Sequence, residues 1–262
     1  EQPGLGCGPP APAPGIWWTA APSAPPVQVS LLTYNLAWWQ VFDIGRPGEF
    51  YFHKFTEGNT AMTLIKSAVA SKALDVMAFQ ECNNVGWLLQ KSGLAGAYTG
   101  FQGFEGTCLA FKTAAWTQLA QGQAVVAEDT KLEYWGRRMG MWLRLLHKAS
   151  GKTVFVMNHH GPLPVSSGGV CGAPATVRRL LSMITANAHS GEPVILMGDF
   201  NAEQASQTIG LLKGHLHSVM AGTMHNGIDN IFSNVPPASV LGRANLGGGG
   251  SDHDALMVVF HV

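Results

Sequence analysis

The most restrictive stretch of the chain is Val194-Ile-Leu-Met-Gly-Asp-Phe-Asn-Ala-Glu203. Val194 to Met197 form an unbroken apolar run of strand length, which reads as a strand buried on both faces. Gly198 ends it, and Asp199 and Asn201 follow with Phe200 between them. Residues two apart in an extended segment point the same way. A carboxylate and a carboxamide therefore leave the end of a core strand together. Two oxygen-bearing groups on a rigid strand end can hold a hard cation or position a water. Taken alone, the segment also reads as an ordinary Asp/Asn turn after a strand. The other strand ends bear on that choice.

With 262 residues the chain fits one large domain, or at most two small ones. Hydrophobic residues make up 46% and charged residues 12%, so it is globular and somewhat apolar. Sixteen basic residues balance sixteen acidic ones, which gives no electrostatic argument for a polyanionic partner. A dedicated nucleic-acid binder is commonly more basic. No apolar run approaches the ~20 residues that span a bilayer. The chain begins at Glu1, which fits a removed secretory leader, and the choice of cloned boundaries explains it equally. Secretion or another extracytoplasmic location is the expectation, although there is no N-glycosylation sequon to support it. The even set of Cys7, Cys82, Cys108 and Cys171 allows two disulfides in any of three connectivities. Free buried thiols are nearly as good a reading in a chain this long. Cys7 and Cys171, both in Gly/Pro-rich stretches, are the pair expected first.

Residues 1–26 are rich in Pro, Ala and Gly and read as an extended tail, with the folded domain at 27–262. Trp17 and Trp18 interrupt the tail. Two adjacent tryptophans are costly to leave in water, so the tail is expected to dock on the domain or on a partner. Strands are expected over 27–36, 75–80, 107–112, 115–126, 139–147, 153–158, 194–197, 227–232 and 255–262. Met62, Ile65 and Val69 share a helix face, as do Val177, Leu180, Leu181 and Ile184 behind Pro174. A short helix is expected over 203–213. Residues 38–55, with Trp38, Trp39, Phe42, Phe50, Tyr51 and Phe52, lack periodicity and read as an aromatic loop. Gly151-Lys-Thr153 resembles the end of a P-loop, but Leu146 stands where that motif needs Gly, so a hairpin turn explains it better. Strands with interspersed helices imply a layered α/β domain.

Polar residues recur where apolar strands end: Asn35, Glu81, His160, Asp199 with Asn201, Asp229, and Asp252 with His253. Each has a plain reading as a solvated end or a turn. Together they point to a site, since strand ends are where α/β sheets assemble one.

These segments resemble the endonuclease/exonuclease/phosphatase superfamily, the fold of deoxyribonuclease I. The matching segments are Leu32-Thr-Tyr-Asn-Leu36, Phe79-Gln-Glu81, Val156-Met-Asn-His-His160, Gly198-Asp-Phe-Asn201, Gly227-Ile-Asp-Asn230 and Ser251-Asp-His253. The resemblance runs from about Val27 to Val262. It implies a four-layered sandwich of two packed mixed sheets flanked by helices. It also implies Glu81, Asn35 and Asp252 as metal ligands for Mg²⁺, with Mn²⁺ or Ca²⁺ as substitutes. Asp229 would orient His253 as general base, and Asp199 is the rival for activating water. His160 and Asn201 would donate to phosphoryl oxygens, and His160 could also protonate the leaving oxygen. Arg138, ahead of the 139–147 strand, is the better candidate for a phosphate contact, with Arg137 the other. Two departures reshape the pocket: Gly161-Pro162 follows the Asn-x-His element, and Asp254 follows Ser-Asp-His.

The implied function is metal-dependent hydrolysis of a phosphodiester by in-line water attack, most simply by a deoxyribonuclease-like nuclease acting on nucleic acid. A phospholipid or phosphoinositide headgroup is the alternative substrate. A non-catalytic binding or structural module on the same fold is the other class. Every matching position is filled, which counts against that last reading.

Overall fold

A computed structural model describes residues 5–8, 11–19, 26–41, 61–131 and 136–262. In chain order the elements are β1 (Gln28–Asn35), α1 (Trp38–Val41), α2 (Ala61–Lys72), β2 (Val76–Gln80), α3 (Val85–Lys91), β3 (Tyr98–Gln102), β4 (Cys108–Lys112) and β5 (Trp116–Glu128). They continue with β6 (Arg137–His147), β7 (Thr153–His160), α4 (Gly172–Asn187), β8 (Val194–Asp199), α5 (Gln207–Lys213), β9 (His217–Ala221), β10 (Asp229–Ser233), β11 (Val240–Asn245) and β12 (Leu256–His261).

Two six-stranded sheets result, ordered β11-β12-β1-β2-β4-β3 and β5-β6-β7-β8-β10-β9. Both are mixed: β1 with β2 and β7 with β8 run parallel, and the other pairs antiparallel. Period-2 alternation explains the layering. Val29 and Leu31 of β1 and Ile195 and Met197 of β8 point into a shared core between the sheets. Leu32 and Tyr34 face outward, into a second core that also holds Ile65 and Ala68 of α2. Val194 and Leu196 face outward onto Val177, Leu180, Leu181 and Ile184 of α4. A fully buried Leu, Ile or Val contributes on the order of 1.5–3 kcal/mol, so strands buried on both faces anchor the molecule. This is the four-layered sandwich expected.

Elements with strong patterns fall where they were expected. Pro174 sits in the first turn of α4, whose buried stripe is the one read from the sequence. The buried face of α2 is Ala61, Ile65 and Ala68, one position away from the expected Met62 and Val69, which are only partly buried. Gly151 lies in the turn between β6 and β7, at φ 72°. The strands not foreseen, β3, β9 and β11, are all sheet edges with at most one fully buried residue each. The short helix α3 was missed as well; it is capped by the Asn84 side chain accepting from Trp87 N. Of the expected aromatic loop, Trp38–Val41 form α1 instead, and residues 42–60 lie outside the described residues.

The described parts of the tail lie on the domain. Cys7 is disulfide-bonded to Cys171, while Cys82 and Cys108 are free and buried. Ile16 is buried against the α4 layer, and Trp17 Nε1 donates to Glu192 O at 2.9 Å. Trp18 stays 52% exposed with its ring against His217. Among the described residues no helix is long and apolar enough to cross a membrane.

Candidate active site

The two parallel pairs, β1–β2 and β7–β8, bring their carboxyl-terminal ends to one rim of the sandwich. Asn35 ends β1, Glu81 follows β2, His160 ends β7 and Asp199 ends β8. Asp229 starts β10 and is paired in register with Asp199. The chain then turns sharply. Ala37, Glu81 and Asn201 all have positive φ, 51°, 56° and 44°. Such backbone is unfavourable for Ala and Glu, and it concentrates where a site imposes it.

Asp199 is the hub. Its Oδ2 accepts from Asn35 Nδ2 at 3.0 Å and lies 3.5 Å from His160 Nε2 and 3.9 Å from His253 Nε2. Its Oδ1 accepts from Asn201 N at 2.8 Å. Burial alone would raise this carboxyl, but the His253 and His160 imidazoles and the Asn201 N–H hold it below the usual carboxylate range. His253 Nδ1 faces both oxygens of Asp229, at 3.2 and 3.1 Å. Burial alone would lower His253, yet the Asp199 and Asp229 carboxylates together drive it up to about 10. Desolvation pushes Asp229 itself up to about 6.

Glu81 is partly buried. Its Oε2 accepts from Trp38 N at 3.0 Å, and Asn35 Nδ2 lies 3.5 Å from its Oε1. Desolvation raises its pKa, and the nearby Asp199 adds to the shift. Asn35 enters the cluster through its amide nitrogen, because its Oδ1 accepts from Ala37 N at 3.0 Å. Through that nitrogen Asn35 ties Glu81, Asp199 and His253 together. Asp252 is exposed, and its carboxylate groups with His225 and His253, ligand atoms within 4.8 Å of one another. Asn201 uses Nδ2 to hold Gly161 O at 3.0 Å.

His160 is buried and neutral. Burial first, then the Arg138 guanidinium, lowers it to about 3. Arg138 is 1% exposed and forks onto Asp129, Nε to Oδ1 at 2.8 Å and Nη2 to Oδ2 at 2.9 Å. Asp129 was not singled out from the sequence, although it follows directly on β5 and obeys the same strand-end rule. His225, against the His253 ring at 5.2 Å, was also missed, as it sits in a short turn with no strand to flag it. The departure at Asp254 has a structural cause. Its buried carboxylate accepts from Met224 N at 2.9 Å and Thr223 Oγ1 at 3.0 Å, fixing the turn that leads to Asp229.

The match to the endonuclease/exonuclease/phosphatase family, a family of hydrolytic phosphoesterases, covers residues 50–253, more than half the chain. No curated protein matches the chain. Among solved structures, a protein of this family from Bacteroides thetaiotaomicron superposes with TM-score 0.68 at 17% identity, covering 90% of this chain and 98% of that one. The mannosyl-6-phosphatase of the same organism gives 0.64 at 17% identity, covering 89% and 99%. D. rerio TDP2 complexed with single-strand DNA product gives 0.62 at 15% identity, covering 90% and 99%. At these identities the likeness to each is one of fold. On the sequence match and the shared sandwich, the chain belongs to the endonuclease/exonuclease/phosphatase family.

Proposed function

We propose that the chain is a divalent-metal-dependent phosphodiesterase that hydrolyses its substrate by in-line attack of water, most simply a deoxyribonuclease-like nuclease. One observation carries the reading. Asp199, buried and ionised, sits within 4 Å of the Asn35 and His160 side chains from two strand ends and of His253 from the turn before β12. A fold has no packing reason to bury so many polar groups at one rim; burying them costs free energy that function must justify.

The donor set fits a hard cation. Glu81 offers carboxylate oxygens that are desolvated and crowded by Asp199, a setting that a positive charge relieves. Mg²⁺, which needs only one or two carboxylates, suits Glu81; Mn²⁺ or Ca²⁺ could use the same oxygens. In this arrangement Asn35 supports Glu81 through its amide nitrogen, and Asp252 borders the site from its exposed side. A bound cation would supply Lewis-acid stabilisation of a phosphoryl oxygen or the leaving group.

The chain's own groups do the rest. Asp229 fixes the His253 ring so that Nε2 faces Asp199, and His253 is the proposed acceptor of the proton from water. Asp199 is the rival acceptor, and its lowered pKa makes it the weaker base. His160 and Asn201 are the proposed donors to non-bridging oxygens. With its pKa near 3, His160 is better suited to donate a hydrogen bond than to protonate a leaving group.

The structural neighbours include a phosphatase and a protein holding a DNA product. Nucleic acid is the first substrate proposed. A phospholipid or phosphoinositide headgroup is the second, favoured by the balanced net charge. Export from the cytoplasm belongs to the same proposal and draws support from the Cys7–Cys171 disulfide. The test is a Mg²⁺-dependent panel of duplex DNA, RNA, sphingomyelin and phosphoinositides, with His160→Ala as control. DNA cleavage lost in the control supports the nuclease reading. Turnover of lipid alone moves the substrate. No turnover of any of them supports the non-catalytic alternative.

A further inference from the structure

We infer that Arg138, clamped by Asp129, is a positioning residue for His160 and acts on the reaction only through that imidazole, not as a phosphate ligand. The inference rests on the reading of His160 above as a group that touches the substrate. Three observations carry it.

First, one edge of the guanidinium is locked. Its Nε and Nη2 make the paired contacts to Asp129 at 2.8 and 2.9 Å, with 2% and 0% of the two side chains exposed. To reach a phosphate it would have to break this fork and strand a buried carboxylate without its countercharge, a large penalty.

Second, the remaining nitrogen is spent on His160. Arg138 Nη1 lies 3.4 Å from Nδ1 and 3.2 Å from Nε2 of that ring. The in-plane directions of the two ring nitrogens, one an N–H and one a lone pair, diverge, so near-equal distances place Nη1 over the ring rather than along either direction. A fixed positive charge there limits rotation of the ring and opposes a second proton on it. The other charged or titratable groups facing His160 are Asp199, His253 and His159.

Third, Asp129 also holds the chain that leaves His160. Its Oδ1 accepts from Leu163 N at 2.7 Å and its Oδ2 from Gly136 N at 3.2 Å, and Thr130 N donates to Leu163 O at 3.0 Å. One buried carboxylate thus fixes both the cation over the ring and the loop behind it. Such supporting contacts set the position of a reacting side chain.

The test is a double-mutant cycle on the substrate that the wild type turns over. Arg138→Met, Arg138→Lys and Asp129→Asn are each made alone and in a His160→Ala background, with kcat and KM measured separately. The expected result is a fall in kcat of about 10–100-fold for each single variant, with KM changed less than about twofold. In the His160→Ala background the same changes cost less than about twofold. Arg138→Lys does not restore kcat, since an ammonium cannot make the fork and cover the ring together. Losses that multiply with His160→Ala overturn the inference, as does a raised KM at constant kcat that Lys restores. If Arg138→Met fails to fold, judged by its melting curve, Arg138→Lys and Asp129→Asn complete the cycle. Near wild-type turnover by His160→Ala alone would instead sink the functional reading of that residue, an outcome distinct from additive losses.

Discussion

Gly161 and Phe200 meet backbone to backbone: a Cβ on Gly161 would lie 1.8 Å from the Phe200 carbonyl oxygen. Gly161 N also donates to Asp199 O at 2.7 Å. The glycine therefore lets the ends of β7 and β8 close up, which brings His160 within reach of Asp199. Gly161→Ala should force those ends apart. Overpacking of this kind costs about 1–3 kcal/mol, and we expect a lowered melting temperature together with at least about a tenfold loss of kcat. Thermal denaturation and steady-state rates check it; wild-type values for both would remove the contact from the account.

His159, next to the site residue His160, is fully buried and held neutral. Burial lowers it to about 4, with Nδ1 placed 2.9 Å from Met139 O. Its folded pKa lies below the unfolded value near 6.5, so the unfolded chain takes up its proton first as pH falls. Stability tied to this group is intact above about pH 6.5 and is lost on the way down to pH 4. Asp229 and Glu81, both raised, act in the opposite sense, so the comparison must be with a variant. Between pH 7.5 and 5, wild type should lose about 2 kcal/mol more than His159→Asn in denaturant unfolding. Parallel losses would show that His159 does not titrate as described.

The Asp229 carboxylate, with Asp199, raises His253. The proposed base, held protonated, works only as pH rises, so the rate should climb with pH through the neutral range. Asp229→Asn removes one of the two charges, and the acidic limb of the profile should move to lower pH. The plateau should drop by about 100-fold, because the ring loses its orienting partner. A lowered plateau with an unmoved limb would assign Asp229 an orienting role alone.

The Cys7–Cys171 bond ties the tail across a sequence separation of 164 residues to the loop that precedes α4. The same loop bonds back to the end of β5 through Val170 N to Glu128 O at 2.9 Å. Removing the bond with Cys7→Ser should lower stability by about 2–5 kcal/mol and raise solvent quenching of Trp17 fluorescence. An unchanged melting temperature would mean that the tail is held by Ile16 and Trp17 without it.

Much of this was legible in the sequence for one physical reason. Buried central strands carry their signal in every residue, as Val194–Met197 do, and each of them ends abruptly in a polar group that the core would not tolerate. Asn35, Glu81, His160 and Asp199 could be picked out this way, and Asp229 and His253 by their place at or just before the start of such a strand. Edge strands such as β11 lack that contrast, because half of their side chains face solvent. Asp129 ends a strand whose middle is exposed, so its polar terminus does not stand out. The partner choice of Arg138 and the orientation of the Asn35 amide depend on contacts made across the sheets, which no local pattern encodes.

The most direct measurement is the initial rate of phosphoester hydrolysis by wild type and Glu81→Gln, each in Mg²⁺ and in EDTA. Wild type should turn over at least one substrate of the panel in Mg²⁺ and lose that activity in EDTA. Glu81→Gln, melting like wild type, should be slower by at least about 100-fold. Equal rates with and without the chelator, or undiminished turnover by Glu81→Gln, would contradict a cation-assisted site at this rim.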